Sequence, residues 1–284
     1  MEISIINWFQ SIQTPFLDQL FILITLLGEE YFYILVLGIT YWCVSKKHTV
    51  FIVYCLTFSS VINSALKELF NELRPFQMLD IRALRVETAT GTSFPSGHTQ
   101  TVTAFYVAVA SLFKKKWLWG IGIIIPFLVG VSRVYLGVHW PKDVLGGWII
   151  GIISVLIVTW ILKNDNKKKV QQLTLFLVAV SVVSLVFFSS ENYVKAVAAF
   201  SAFIIGQIME EKWVGFSTQT HFIKQLVKVI LGMGITAGVF IGLKVILPDE
   251  NLFIGIRYFL TVFGVAFVAP YIFTKTGLSD RIEA

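Results

Sequence analysis

Long apolar stretches separated by short polar segments fill almost the whole chain. Because about 20 apolar residues cross a bilayer as a helix, this pattern predicts an all-α, polytopic transmembrane helical bundle of about nine spans. The predicted spans cover residues 29–45, 49–70, 97–113, 117–136, 143–162, 172–189, 193–210, 226–247 and 253–273. Residues 1–28 contain a shorter apolar pattern, which predicts an amphipathic lead-in that is interfacial or partly re-entrant.

Composition narrows the class of protein. The chain is 56% hydrophobic and 14% charged, whereas soluble domains carry about 25% charged residues, so we expect no separate soluble domain. The net charge of +6 arises from lysine clusters between spans, which favours a membrane orientation signal over nucleic-acid binding. Cys43 and Cys55 both lie in apolar spans, so we expect no disulfide framework. The N-terminus does not have the pattern of a cleavable signal peptide.

The lysine clusters also predict the orientation of the chain. With nine spans, most basic residues fall on one side, which is then cytoplasmic: Lys46, Lys47, Lys114, Lys115, Lys116, Lys163, Lys167, Lys168, Lys169, Lys212, Lys224, Lys228, Lys275 and Arg281. The opposite side contains six basic residues: Lys67, Arg74, Arg82, Arg85, Arg133 and Lys142. Three of them, Lys67, Arg74 and Arg133, belong to the motifs described below, and we call them the motif cations. The N-terminus is therefore expected outside and the C-terminus inside, with the motif cations on the extracytoplasmic face.

Three regions are predicted along the chain. Residues 1–28 form the lead-in, residues 29–162 form a core that contains every polar motif, and residues 163–284 form a four-helix transmembrane extension without one. The polar break at 163–169 is the predicted boundary. In the extension, Glu191 and Lys195 are spaced four residues apart, which favours an ion pair.

The first motif, Lys67 with Arg74-Pro75, provides positive charge. Lys67 is predicted near the outer end of its helix and Arg74 in the following loop, where Pro75 opposes continuation of the helix. Lysine offers a point charge, and arginine a planar fork that binds two phosphate oxygens. Alternatively, both are cations that reach the lipid headgroups.

The second motif is Pro95-Ser96-Gly97-His98, followed by an apolar run. Ser96 is expected to cap the helix, and Gly97 allows a ligand to approach the backbone. The free N–H groups of a helix start suit a phosphate, and His98 could donate a proton to it. Alone, the motif would also fit an ordinary capping serine with an interfacial histidine.

The third motif is Ser132-Arg133, then His139, then Asp143. The spacing suits a hydrogen bond in which Asp143, at the start of the next helix, orients the imidazole and stabilises its charged form. A histidine held in this way can attack phosphorus. The plain alternative is a loop histidine beside a capping aspartate.

The spacing K-x6-RP, PSGH, SR-x5-H-x3-D resembles the type 2 phosphatidic acid phosphatase superfamily over residues 60–150. This resemblance implies that the motif cations, with Ser96 and Gly97, bind the phosphoryl oxygens. It also implies that His139 is the nucleophile and forms a phosphohistidine, that Asp143 orients it, and that His98 protonates the leaving oxygen and later activates water. The implied arrangement is an antiparallel helical bundle, and the motifs match the family's in full.

The implied substrate is a lipid phosphate or lipid pyrophosphate whose tail stays in the bilayer. Two alternatives remain: a phosphotransferase that passes the phosphoryl group to a lipid or sugar, and a transporter that only binds phosphate headgroups. The sequence has neither a H-E-x-x-H motif nor paired cysteines, so no metal site or cofactor is expected. Glu29 and Glu30 start a span, where they either hydrogen-bond within the bundle, the favoured role, or line the entrance.

Overall fold

The computed structural model describes residues 1–282 and is built from α-helices, as the apolar pattern predicts. Thirteen helices are described there. They are α1 (Glu2–Ser11), α2 (Pro15–Leu26), α3 (Glu30–Cys43), α4 (Lys46–Phe70), α5 (Pro75–Met78), α6 (Gly97–Phe113), α7 (Lys116–Tyr135), α8 (Pro141–Leu162), α9 (Lys167–Val183), α10 (Glu191–Trp213), α11 (Phe222–Ile246), α12 (Asn251–Phe263) and α13 (Ala269–Lys275).

The chain is a multi-pass membrane protein. Within residues 1–282, seven helical segments are long and apolar enough to cross a bilayer, and the pair α2 and α3 raises the number to eight if it forms one broken span. The seven are Lys46–Met78, Lys116–Tyr135, Pro141–Leu162, Lys167–Val186, Glu191–Trp213, Phe222–Ile246 and Asn251–Lys275. The predicted all-helical class is thus confirmed, while the count of nine and the orientation stay predictions.

The helices form two compact units. Unit 1 contains residues 1–32 and 58–158, and unit 2 contains residues 33–57 and 159–284. All eight residues predicted to form the site belong to unit 1.

In unit 1, helix α7 lies against α1, α2 and α6. The apolar face of the lead-in covers the loop between α7 and α8: Ile6 is fully buried against Val134, Trp140 and Val144. Burying an isoleucine contributes about 1.5–3 kcal/mol, so the lead-in helps to hold this loop in place. Its periodicity predicted an apolar face but not what that face packs against.

Helix α8 passes very close to the start of α6. A Cβ atom at Gly147 would lie 2.9 Å from the carbonyl oxygen of Ser96 and 3.0 Å from Cβ of Thr99. Only glycine fits there, because the nearest atom is backbone that cannot rotate away. This contact places the Pro95–His98 segment directly beside the helix that contains Asp143.

In unit 2, helix α10 packs against α9, α12 and the π-helical turn Gly264–Val268. A π-turn changes the pairing of backbone carbonyls, and two carbonyls of this turn accept side-chain hydrogen bonds: Tyr41 Oη donates to Ala266 and Trp42 Nε1 to Val265, both at 3.1 Å. The buried Glu210 carboxylate pairs with Lys46 at 2.9 Å. Buried polar groups thus have partners that fix the helices of this unit.

The predicted pair in the C-terminal half is present. Lys195 Nζ lies 2.5 Å from Glu191 Oε1, one helical turn apart. The three predicted regions of the chain stay a prediction.

The close approach at Gly147 makes a first prediction. Gly147→Ala should lower the melting temperature, because the new methyl group collides with the Ser96 backbone; overpacking costs about 1–3 kcal/mol. Gly120→Ala in α7 is the matched control, since nothing lies within 4 Å of a Cβ atom there. Thermal melting in detergent compares the two variants, and a Gly147→Ala protein at least as stable as Gly120→Ala would contradict this packing.

Candidate active site

One aspartate organises the loop between α7 and α8. Asp143 is the third residue of α8, not the cap that the sequence suggested. Its Oδ2 accepts a hydrogen bond from the backbone N–H of Trp140 at 2.8 Å, as in half of a capping box. The same oxygen lies 3.1 Å from Nδ1 of His139. A carboxylate accepts only, so Nδ1 carries the proton, and Nε2 of the neutral ring keeps its lone pair.

Arg74 lies against that second nitrogen. Its Nη1 is 3.1 Å from His139 Nε2 and donates to the carbonyl of Val138 at 2.8 Å. Its Nε and Nη2 donate to the three carbonyls of residues 90–92. A guanidinium has five N–H donors, and all five are used, so a phosphate must replace one of these acceptors to bind here. Arg74 itself precedes α5, and Pro75 is the first residue of that helix, a position that suits proline; α4 has already ended at Phe70.

Lys67 is held by the same loop. Its Nζ donates to the carbonyls of Thr92 and Ser93, and the hydroxyl of Thr92 donates in return to the Lys67 carbonyl at 2.6 Å. Two motif cations therefore face one run of carbonyl oxygens, which carry only partial negative charge.

Arg133 is fully buried near the end of α7. Its Nη1 donates to the hydroxyl of Thr25 at 2.9 Å, and Nη1 and Nη2 both lie 3.4 Å from the hydroxyl of Thr88. Its buried Nε has no hydrogen-bond partner. Sequence reasoning missed both threonines, because they lie outside the three motifs and far away along the chain.

His98 is in the first turn of α6. Its ring packs on Gly28, where a Cβ atom would lie 2.9 Å from Cβ of His98. The buried Nε2 has no hydrogen-bond partner. Buried polar atoms without a partner are rare, so Nε2 of His98 and Nε of Arg133 are both available to a ligand.

Ser96 precedes α6 as predicted, but its hydroxyl does not cap the helix. It lies 2.9 Å from the hydroxyl of Thr99. The backbone N–H of Ser96 donates instead to the carbonyl of Asp143 at 3.0 Å. No side chain caps the first turn, where Gly97 and His98 lie, so its backbone N–H groups remain suited to an anion.

Ser93 is a residue of the candidate site that the sequence did not reveal. It is fully buried, and its hydroxyl donates to Asp143 Oδ2 at 2.5 Å. This oxygen therefore accepts from Ser93, His139 and Trp140. A signal was present in the chain, since Ser93 lies three residues before Ser96, but a serine near a motif has many ordinary roles.

The surroundings of His139 set its protonation state. Burial, and then the positive charges of Arg74, Lys67 and Arg133, lower the pKa of His139 well below its ordinary value. The imidazole is therefore neutral at neutral pH, which is the form that can act as a nucleophile. Within residues 1–282, no group of three or more His, Cys, Asp or Glu side chains is arranged to hold a metal ion.

Comparison with known proteins places this arrangement in a family. The profile described as PAP2 superfamily matches residues 48–167, and a second profile, described as a transmembrane extension of PAP2 superfamily phosphatases, matches residues 194–281. An undecaprenyl-diphosphatase from Sulfolobus acidocaldarius is 32% identical over 162 residues, which are 57% of this chain and 78% of that protein. The chain belongs to the PAP2 superfamily. It is a membrane phosphatase, and its reaction class is that of a phosphoric monoester hydrolase.

Two solved structures of PAP2 proteins resemble this one. A transmembrane phosphatidylglycerolphosphate phosphatase from Bacillus subtilis matches with a TM-score of 0.50 and 29% identity, over 58% of this chain and 85% of that one. LpxE from Aquifex aeolicus matches with a TM-score of 0.50 and 28% identity, over 57% of this chain and 95% of that one.

The bond from Ser93 makes a second prediction. Ser93→Ala removes one of three donors to Asp143 Oδ2, and a hydrogen bond to a charged group contributes about 1.5–3 kcal/mol. We expect kcat to fall about tenfold or more if that energy is lost in the transition state. Ser111→Ala is the matched control, since the Ser111 hydroxyl bonds only a carbonyl of its own helix, that of Ala108. Steady-state kinetics test this, and a Ser93→Ala enzyme with the kcat of the control would contradict it.

Proposed function

We propose that this PAP2 phosphatase hydrolyses a lipid phosphate or lipid pyrophosphate monoester through a phosphohistidine on His139. The observation that carries the proposal is the pair of contacts on that imidazole. Asp143 lies 3.1 Å from Nδ1, and Arg74 lies 3.1 Å from Nε2. The lone pair of Nε2 accepts from Arg74 in this structure, and a phosphate that takes over this Arg74 donor would free the lone pair for attack on phosphorus.

The reaction proceeds in two displacements. The phosphoryl oxygens bind to the motif cations, to the hydroxyl of Ser96 and to the backbone N–H of Gly97, since the N–H of Ser96 already donates to Asp143. Nε2 of His139 attacks phosphorus, the bond to the leaving oxygen breaks, and His98 supplies the proton to that oxygen. Asp143 stabilises the positive charge that develops on the ring. Water, activated by His98, then displaces the phosphoryl group from His139.

The substrate class follows from the membrane setting and from the relatives. Relatives include an undecaprenyl-diphosphatase and a phosphatidylglycerophosphatase B, and both names describe phosphorylated lipids. A site at the end of membrane helices can bind a phosphate while the acyl or prenyl tail stays in the bilayer. We therefore propose a lipid substrate rather than a soluble sugar phosphate.

A nine-span arrangement with the site outside completes the proposal. Helix α6 has 17 residues, which is at the lower limit of about 17–25 for a span, and α2 with α3 would form another. Adding these two to the seven longer segments gives nine. The N-terminus then lies outside, and the lysine clusters lie in the cytoplasm.

A phosphate-release screen tests the function. Purified full-length protein should release phosphate from lipid substrates such as phosphatidic acid, phosphatidylglycerol phosphate or a polyprenyl diphosphate, and much less from glucose 6-phosphate. We expect the activity to survive EDTA, because the motif cations neutralise the phosphate. Activity that disappears in EDTA and returns with Mg²⁺ would contradict that role for the cations, and a preference for the sugar phosphate would contradict the substrate class.

The role of His98 makes a fourth prediction. A lipid alkoxide leaves poorly without a proton, whereas a nitrophenolate leaves readily. General acid catalysis contributes about 10²–10⁴ in rate, so His98→Ala should lose that much on a lipid monophosphate and far less on p-nitrophenyl phosphate. His221→Ala is a suitable control, because this histidine precedes α11 in unit 2. Equal losses on both substrates would contradict the acid role.

The orientation makes a fifth prediction. Asp80 and Asp165 are both exposed and lie in loops predicted on opposite sides. In a background without Cys43 and Cys55, Asp80→Cys should react with a membrane-impermeant maleimide in intact cells. Asp165→Cys should react only after permeabilisation. The reverse labelling would place the site in the cytoplasm.

A further inference from the structure

A fourth cation, Arg85, lies beside the site and belongs to none of the three motifs. Its Nη2 forms an ion pair with Glu29, and its Nε lies 3.1 Å from Oε1 of Glu87. The side chains of Arg85 and Glu29 are 26% and 19% exposed, whereas that of Glu87 is 69% exposed. The ion pair of Arg85 with Glu29 is therefore the stronger one, since the pair with Glu87 is screened by water.

The chain places this pair next to the proposed general acid. Gly28 packs directly on the His98 ring, and Glu29 is the following residue. The charge of Arg85 also acts on both His98 and Arg133, so the Arg85–Glu29 pair lies within electrostatic reach of the proposed general acid.

A second connection links Arg85 to Arg133. The carbonyl of Arg85 accepts a hydrogen bond from the Thr88 hydroxyl at 2.8 Å, and the same hydroxyl lies 3.4 Å from both terminal nitrogens of Arg133. Arg85 also has a left-handed backbone conformation, with φ 58° and ψ 38°. Such conformations in residues other than glycine are costly and gather at ligand-binding sites.

The balance of charges between the site and its ligand indicates a role for Arg85. The three motif cations balance the Asp143 carboxylate and one phosphoryl dianion. Arg85 and Glu29 balance each other, so a monophosphate does not need Arg85. A diphosphate monoester brings at least one further negative charge, on the leaving group that the proposed general acid His98 serves, and Arg85 lies within electrostatic reach of His98.

We propose that Arg85 binds the second phosphate of a lipid diphosphate by exchanging Glu29 for it, and so favours diphosphates over monophosphates. This inference rests on the proposed function. His139 Nε2 bonds to the terminal phosphorus, the bond from that phosphorus to the bridging oxygen breaks, and the electron pair stays on the departing lipid monophosphate. Water then releases inorganic phosphate. A phosphate leaving group, with a second pKa of about 6, needs a cation more than a proton.

Two substrates with the same tail test the role of Arg85. We would measure kcat/KM of the full chain in detergent for farnesyl diphosphate and for farnesyl monophosphate, and take their ratio. Arg85→Gln should lower this ratio about tenfold, because it removes a hydrogen bond between two charged groups. Glu29→Gln should raise it, because the competing carboxylate is gone. Arg82→Gln is the matched control, since Arg82 pairs with Asp18 at 2.7 Å, and it should leave the ratio unchanged.

The outcomes separate this inference from the proposed function. An unchanged ratio in Arg85→Gln, or a ratio that does not rise in Glu29→Gln, would overturn the role of Arg85. If Arg85→Gln does not fold, Arg85→Lys and Glu29→Gln decide in the same assay. Arg85→Lys keeps the charge, so its ratio of kcat/KM values should stay close to that of the wild type. A wild-type enzyme that hydrolyses only the monophosphate overturns the inference alone, whereas hydrolysis of neither compound overturns both.

Discussion

The arrangement of the site depends on one carboxylate oxygen, Oδ2 of Asp143. It accepts hydrogen bonds from the Ser93 hydroxyl, from the Trp140 backbone and from His139. The carbonyl of the same residue accepts from the Ser96 backbone. One residue at the start of α8 thus joins the loop before it, the segment before α6 and the proposed nucleophile. The glycine contact between α8 and α6 makes this joining possible, because it brings the two helix starts close enough.

The motif cations show how a site can be buried and remain positive. Burying an unpaired charge is costly, yet these cations are held by backbone carbonyls and threonine hydroxyls. Neutral acceptors satisfy the N–H groups without cancelling the charge, so the attraction for phosphate persists. The buried Glu210–Lys46 pair in unit 2 is the opposite case. There the charges cancel, which suits a structural role and leaves nothing for an anion to bind.

Much of the fold follows from the apolar pattern, because helices in a bilayer must be long, apolar and internally hydrogen-bonded. The His139–Asp143 spacing also predicted a contact that depends only on local chain geometry. Two local predictions differ from the structure. Pro75 begins a helix rather than ending one, and the Ser96 hydroxyl bonds to the Thr99 hydroxyl rather than to the backbone. In each case a neighbouring side chain or turn offered a competing arrangement.

Contacts between residues far apart in the chain could not be predicted from the sequence. Thr25 lies 108 residues from Arg133 and Ser93 lies 50 from Asp143, and neither spacing forms a pattern along one helix. Their roles arise only after the lead-in has packed against α7 and α8 has packed against α6. The same holds for Arg85, whose ion pair with Glu29 joins residues that are 56 positions apart.

The central claim is that His139 carries the phosphoryl group, and trapping the intermediate tests it most directly. Wild-type enzyme would be mixed with a ³²P-labelled lipid phosphate, quenched in base within one turnover, and mapped by mass spectrometry. The account predicts acid-labile, base-stable label on His139, and none in His139→Ala. Label on His98, or label that persists in His139→Ala, would contradict it.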